Sequence, residues 1–171
     1  MSDNFNVLTI TTPDVENGTG CRVTIWAAGC KHYCKGCHNK HAWSYNQGKK
    51  LLSVKDQIFN EVNKPYIQGI TLSGGDPLFQ SQNALCDLRD FIEEFKEKFP
   101  DKDIWIYSGF TYEEIMSTIS KKMIVEKCDI LVDGKFELEL KDPDLAFRGS
   151  KNQRVIDIKK SIENKEVITL F

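Results

Sequence analysis

The sequence predicts an α/β domain: a partial, open βα barrel with a mostly parallel sheet and helices on the outside. Three observations carry this expectation. Short apolar runs of strand type alternate with capped amphipathic stretches, the pattern of parallel strands joined by helical crossovers. The chain has 171 residues, short of the roughly 250 that a closed eight-unit barrel takes. No repeat, low-complexity tract or long linker divides it, so residues 1–171 read as one domain. A chain of this length buries roughly 70% of the surface that its unfolded form exposes.

In chain order, the first eleven residues, ending Phe5-Asn6-Val7-Leu8-Thr9-Ile10-Thr11, form an edge strand. Pro13 and the Asn17-Gly18-Thr19-Gly20 cluster break it. Cys21 to Ala28 is a buried strand leading into a cysteine-rich loop. A short helix opens at Ser53-Val54-Lys55-Asp56, carries Val54, Ile58 and Val62 at helical spacing, and stops at Pro65. A longer helix runs from Ser81 to Phe99. Its stripe of Ala84, Leu85, Leu88, Phe91, Ile92, Phe95 and Phe99 is core, and Pro100 ends it. Thr111-Tyr112-Glu113-Glu114 is a capping box for a third helix with Ile115, Met116 and Ile119 on its apolar side. Strand-type runs lie between these helices at Gly69–Leu72, Asp103–Tyr107 and Asp129–Val132.

Ligands of parallel α/β sheets collect at the C-terminal ends of the strands. Four polar clusters follow strands here: the cysteine loop, Ser73-Gly74-Gly75-Asp76-Pro77, Ser108-Gly109 and Asp133-Gly134-Lys135. They should share one rim.

Composition narrows the function classes. Hydrophobic residues make up 40% and charged residues 28%, a soluble balance, and the net charge of −2 offers nothing to a nucleic acid. No apolar run approaches a membrane span. Met1-Ser2-Asp3-Asn4-Phe5 lacks the basic and apolar regions of a signal peptide. The six cysteines therefore read as reduced thiols of a cytoplasmic protein.

Cys30-Lys31-His32-Tyr33-Cys34-Lys35-Gly36-Cys37 carries the chemistry. Three thiolates hold three irons of a four-iron cluster and leave the fourth open to a substrate, whereas an electron carrier supplies a full set of four. Two other readings exist. A structural zinc would borrow His32, His38 or Cys21 as its fourth ligand, for want of a second C-x2-C pair. A redox dithiol of Cys34 and Cys37 leaves Cys30 without a purpose. The Ser73–Pro77 turn is a weak signal alone, since strand-to-helix turns favour Gly, Asp and Pro. Gly74 and Gly75 let a ligand approach the backbone, and Asp76 offers a partner for a cationic amine. Cys21, Cys86 and Cys128 read as small buried hydrophobes. His32 and His41 read as solvated loop residues. Asp133, Lys135, Arg148 and Arg154 suit turn and surface chemistry as well as binding, and no acid–base residue stands out.

With these motifs, the chain resembles the radical S-adenosylmethionine (SAM) proteins and, more narrowly, the activating proteins of the anaerobic ribonucleoside-triphosphate reductase. The matching segments are Ala28–Asn39, Trp43, Ile70–Leu78, Asp103–Gly109, Leu131–Phe136 and Arg148–Arg154, most of the length between Gly18 and Arg154. The resemblance implies a partial barrel of radical SAM type with one [4Fe-4S] cluster on Cys30, Cys34 and Cys37. It implies SAM on the open iron, with Gly36, Cys37, His38, Gly74, Gly75 and Asp76 around it. Reductive cleavage of SAM to a 5′-deoxyadenosyl radical would then place a glycyl radical on the large subunit of the reductase. A reduced flavodoxin or ferredoxin is the implied electron donor. Two positions depart from the superfamily. The superfamily usually has an aromatic residue just before the third cysteine, which helps to seat adenine; here, as in the small activases, that position is Gly36, which leaves Tyr33 and His38 as nearby candidates. Asp76 is one methylene shorter than the common Glu. The rival readings are the same chemistry on another target (pyruvate formate-lyase or a deazapurine precursor) and a zinc-stabilised module without catalysis.

Overall fold

The computed structural model describes residues 1–171. Its strands are β1 (Asn6–Asp14), β2 (Cys21–Ala27), β3 (Lys49–Lys50), β4 (Ile67–Gly74), β5 (Asp103–Tyr107), β6 (Ile130–Asp133), β7 (Arg154–Asp157) and β8 (Thr169–Leu170). Its helices are α1 (Leu51–Val62), α2 (Gln82–Lys98), α3 (Tyr112–Met116), α4 (Ile119–Val125) and α5 (Ile158–Asn164). All strands join one sheet in the order β3-β1-β2-β4-β5-β6-β7-β8.

The sheet is mixed. Its centre, β2-β4-β5-β6, is parallel, as the alternation of strands and helices predicts. Both margins are antiparallel: β3 and β1 on one side, β7 and β8 on the other. The expectation of a mostly parallel sheet thus holds for the centre alone. The turn between β1 and β2 is too short for a crossover, and a parallel pair needs a dozen residues or more to return.

The helices build the core on one face. Along β5, Ile104 and Ile106 enter the main apolar cluster, while Trp105 and Tyr107 point to the other side. That cluster joins Ile25, Ile70, Leu72 and Leu131 of the central strands to Leu88, Phe91, Ile92 and Phe95 of α2. Each such side chain contributes about 1.5–3 kcal/mol on burial. The opposite face carries a small apolar cluster of Trp105, Val132 and Val155 beside buried polar side chains. Arg22, fully buried there, donates through Nε to Thr71 Oγ1 (2.8 Å) and through Nη2 to the Ile70 carbonyl (2.7 Å), and it pairs with Asp103.

Local signals held unevenly. Ser81 caps α2 by accepting from the Ala84 amide, and Thr111 and Glu114 form the capping box of α3. The third helix does not continue, however: α3 ends at Met116, and Ile119 opens a separate helix with 79% of its surface exposed. Ser53 is not a cap. α1 begins two residues earlier, and the Ser53 hydroxyl donates back to the Lys50 carbonyl at 2.7 Å. Pro13 does not end β1, because it sits at the register shift between Thr11 and Asp14, where no ladder donor is lost.

Candidate functional site

The four rim clusters meet at one cavity of about 420 Å³. Cys30, Cys34, Cys37 and His38 line it together with Gly74, Gly75, Ser108, Gly109, Gly134 and Lys135. The shared rim expected of the parallel centre is therefore present. Backbone bonds stitch the first two clusters together. The Gly75 amide donates to the Ala27 carbonyl (2.8 Å) and the Asp76 amide to the Gly29 carbonyl (2.9 Å). A Cβ on Gly75 would stand 2.4 Å from that Gly29 oxygen. Glycine is required there by the closeness of two backbones.

Asp76 faces away from the cavity, buried behind the turn at 1% exposure. Its carboxylate accepts from the Leu78 amide (2.8 Å), the Gly109 amide (2.9 Å) and the Ser108 hydroxyl (3.0 Å). It also meets His32 Nε2 at 2.7 Å. His32 is not a solvated loop residue: its ring lies edge-on between Phe79 and Phe110, and its side chain is 5% exposed. One carboxylate thus ties the cysteine loop, the glycine turn and the end of β5 to each other. His41 is exposed, as expected.

Of the two residues expected near a ligand, His38 lines the cavity, whereas Tyr33 turns outward, 59% exposed and edge-on to Trp43. Gly36 has a φ of +76°, and a Cβ there would stand 2.9 Å from Leu138. The chain segment after β6 therefore occupies the space beside Gly36. Trp26, Tyr107, Phe136 and Phe147 supply an aromatic wall that the sequence reading missed. The signal was available for two of them, since Trp26 and Tyr107 fall on the alternate positions of β2 and β5 that face away from the helices.

Asp133 and Arg154 serve each other. Arg154 donates through Nε to Asp133 Oδ1 at 3.0 Å and through Nη2 to Asp133 Oδ2 at 2.5 Å, Glu113 accepts from Nη1 and Nη2, and the Tyr112 amide donates to Asp133 at 2.7 Å. Lys135 and Arg148 instead line the cavity. Arg148 Nε is buried with no hydrogen-bond partner.

The donor set suits a cluster better than a single ion. No three His, Cys, Asp or Glu side chains converge as ligands of one metal ion would. The three thiols all line one cavity, and clusters of this kind take one thiolate per iron. Cys21 opens β2 at the far end of the strand, about 20 Å from the rim at 3.3 Å per residue, which removes it as a fourth zinc ligand. Burial pushes the Cys30 thiol up to about 12 and raises that of Cys34. A redox dithiol needs the opposite shift, whereas a metal displaces such protons on binding. Cys128 is buried, and Cys21 and Cys86 are half-buried.

A three-cysteine loop and a glycine turn sharing one cavity at the rim of an α/β sheet match the class of iron–sulfur proteins. The model of the 4Fe-4S single cluster domain family matches residues 16–156. The anaerobic ribonucleoside-triphosphate reductase-activating protein of Escherichia coli (strain K12) is 42% identical over 83% of this chain and 92% of its own. Those of Pasteurella multocida and Enterobacteria phage T4 are 40% and 38% identical, over 82% and 83% of this chain and 89% and 87% of theirs. The chain belongs to this family of reductase-activating iron–sulfur proteins. No helix is long and apolar enough to cross a membrane.

Proposed function

We propose that this protein is a cytoplasmic radical SAM enzyme that activates the anaerobic ribonucleoside-triphosphate reductase by generating a glycyl radical on its large subunit. The observation that carries the reading is the pairing, in one cavity, of three thiols with a glycine turn whose backbone faces the same space. When bound, a [4Fe-4S] cluster and SAM supply reductive cleavage to a 5′-deoxyadenosyl radical, which removes a hydrogen atom from a glycine Cα of the partner.

The residues of this chain bind and orient. Cys30, Cys34 and Cys37 would each hold one iron. Gly74 and Gly75 present backbone groups to the methionine amine, and Asp76 belongs to the cofactor site through the turn that it fixes. Lys135 and Arg148 bring positive charge for a carboxylate. His38 and the aromatic wall enclose the adenine, with Gly36 allowing the loop to close against Leu138. No side chain is assigned an acid–base role. The whole of 1–171 acts as one domain, its sheet curved as an open barrel that leaves the cavity accessible to a partner's loop. A reduced flavodoxin or ferredoxin provides the electron.

The test is anaerobic reconstitution, followed by mixing with SAM, reductant and the large reductase subunit. A glycyl-radical EPR doublet together with 5′-deoxyadenosine supports the reading. Deoxyadenosine without a doublet means another target, and a colourless protein holding one zinc means no radical chemistry.

A further inference from the structure

We infer that the outer face of the cysteine loop is the docking surface for a small acidic electron-carrier protein. The inference rests on the reading that Cys30, Cys34 and Cys37 hold a redox cluster, and it locates where the electron enters.

Charge is distributed unevenly along this chain. Although the net charge is −2, no Asp or Glu occurs between Glu16 and Asp56, a stretch that carries seven Lys and Arg and all three His. The fold gathers five of these lysines at one corner. Lys31 and Lys35 lie within the cysteine loop, and Lys40 opens the short 3-10 turn that follows it. Lys49 and Lys50 form β3, which pairs with Asn6 and Val7 of β1; Val7 in turn sits opposite Ala27, where β2 delivers the loop. All five are exposed. Lys35 alone has a carboxylate within ion-pair distance, Glu139 at 3.7 Å, and the two side chains are 80% and 73% exposed. The lysines around α2 are paired instead: Lys55 with Glu94, Lys96 with Asp129, Lys127 with Glu93.

The position suits electron entry. Lys31, Tyr33 and Lys35 are chain neighbours of Cys30 and Cys34, and the Tyr33 ring gives the basic collar an exposed apolar centre against Trp43. The inner side of the same loop lines the cavity. A partner's substrate loop must enter through that cavity, past Phe136, Phe147 and the segment bearing the acidic Glu137, Glu139, Asp142 and Asp144. That segment reaches the loop at Lys35 and Gly36, which leaves Lys31, Lys40, Lys49 and Lys50, exposed and without a carboxylate in ion-pair distance, for the donor. At the outer face the donor loses one electron and the cluster gains it, with no bond made or broken. Such encounters use small, weak interfaces, and complementary charge acts mainly on their association rate, by about 10- to 1,000-fold.

The test compares the reconstituted protein with a Lys31→Glu/Lys40→Glu/Lys49→Glu variant, using flavodoxin as the acidic probe. Association with oxidised flavodoxin is followed by flavin fluorescence anisotropy, and cluster reduction by reduced flavodoxin in stopped flow. Both are repeated from about 0.01 M to about 1 M salt, over which the Debye length falls from about 30 Å to about 3 Å. The variant is expected to keep its iron content and its reduction by photoreduced deazaflavin. With flavodoxin it loses about 10-fold or more in association and rate at low salt, and the difference vanishes at high salt. A Lys49→Glu/Lys50→Glu variant, altered outside the loop, repeats the comparison independently of cluster loading, and Lys98→Glu/Lys165→Glu serves as the control. Flavodoxin rates that ignore salt and substitution overturn the inference. So does a defect confined to reductase activation after deazaflavin reduction, which would give this face to the reductase. A wild-type protein that takes up no iron sinks the parent reading instead.

Discussion

Replacing Asp76 by Asn tests whether one buried carboxylate holds the site together. The substitution keeps volume and shape but turns one of two accepting oxygens into a donor. Four groups now point at that carboxylate: the Leu78 and Gly109 amides, the Ser108 hydroxyl and His32 Nε2. Oδ2 receives three of them, so whichever way the amide is turned at least one buried donor loses its acceptor. An unsatisfied buried donor costs about 1–3 kcal/mol. A protein of this size has about 5–15 kcal/mol in total, so the Asn variant folds. Its melting temperature falls by about 2–4 °C per kcal/mol. Thermal unfolding by circular dichroism of the metal-free chain reads the loss directly. Amide exchange at Gly109 and in the 30–37 loop should rise with it, since the carboxylate joins those segments. Asp76→Ala, which removes every acceptor, should cost about 3–5 kcal/mol and impair iron uptake. An Asn variant as stable as a surface control such as Asp101→Asn, with unchanged exchange in the loop, would refute the reasoning.

Three further outcomes follow from the same structure. Gly75→Ala puts a methyl 2.4 Å from a backbone oxygen, so it should lower iron retention after gel filtration and destabilise the chain by about 1–3 kcal/mol. Asp129 is partly buried, which raises its pKa, but hydrogen bonds from Lys159, Lys96 and the Ile104 amide outweigh this and hold it below the usual carboxylate range. Its stabilisation is therefore full above about pH 4 and lost as pH falls through the depressed folded value; Asp129→Asn should cost about 1–3 kcal/mol at pH 7 and progressively less in acid denaturation series. Arg22→Met should destabilise the sheet, because Asp103, Thr71 and the Ile70 carbonyl lose their partner. Asp103 can turn to water, so the cost should stay near about 2–3 kcal/mol in urea unfolding, below that of breaking a fully buried pair.

How much could be read from the chain depended on whether the signal was local. The helix from Ser81 onward was legible because its cap, its stripe and Pro100 lie within one window. The central strands were legible because each is a dense apolar run followed by a polar turn, and that order also revealed the shared rim. The antiparallel margins were not. β7 offers only Val155 and Ile156 between Arg154 and Asp157, and β3 is two lysines held by pairing with β1. Direction in a sheet follows from connections and neighbours, which no window contains. His32 is the sharpest case. Flanked by Lys31 and Tyr33, it reads as a wet loop residue, yet Asp76, Phe79 and Phe110, far along the chain, bury it. The cysteines were legible because their spacing is the motif, whereas the cavity's aromatic wall was assembled from four separate segments.

The proposed metal centre has three cysteine ligands and one place left for SAM. EPR of the anaerobically reconstituted and reduced protein, recorded with and without SAM and paired with iron and sulfide analysis, tests this most directly. It predicts a [4Fe-4S] signal that SAM perturbs, lost on changing Cys30, Cys34 or Cys37 to Ser and kept in Cys86→Ser. A spectrum indifferent to SAM, or an equal loss at Cys86, would contradict it.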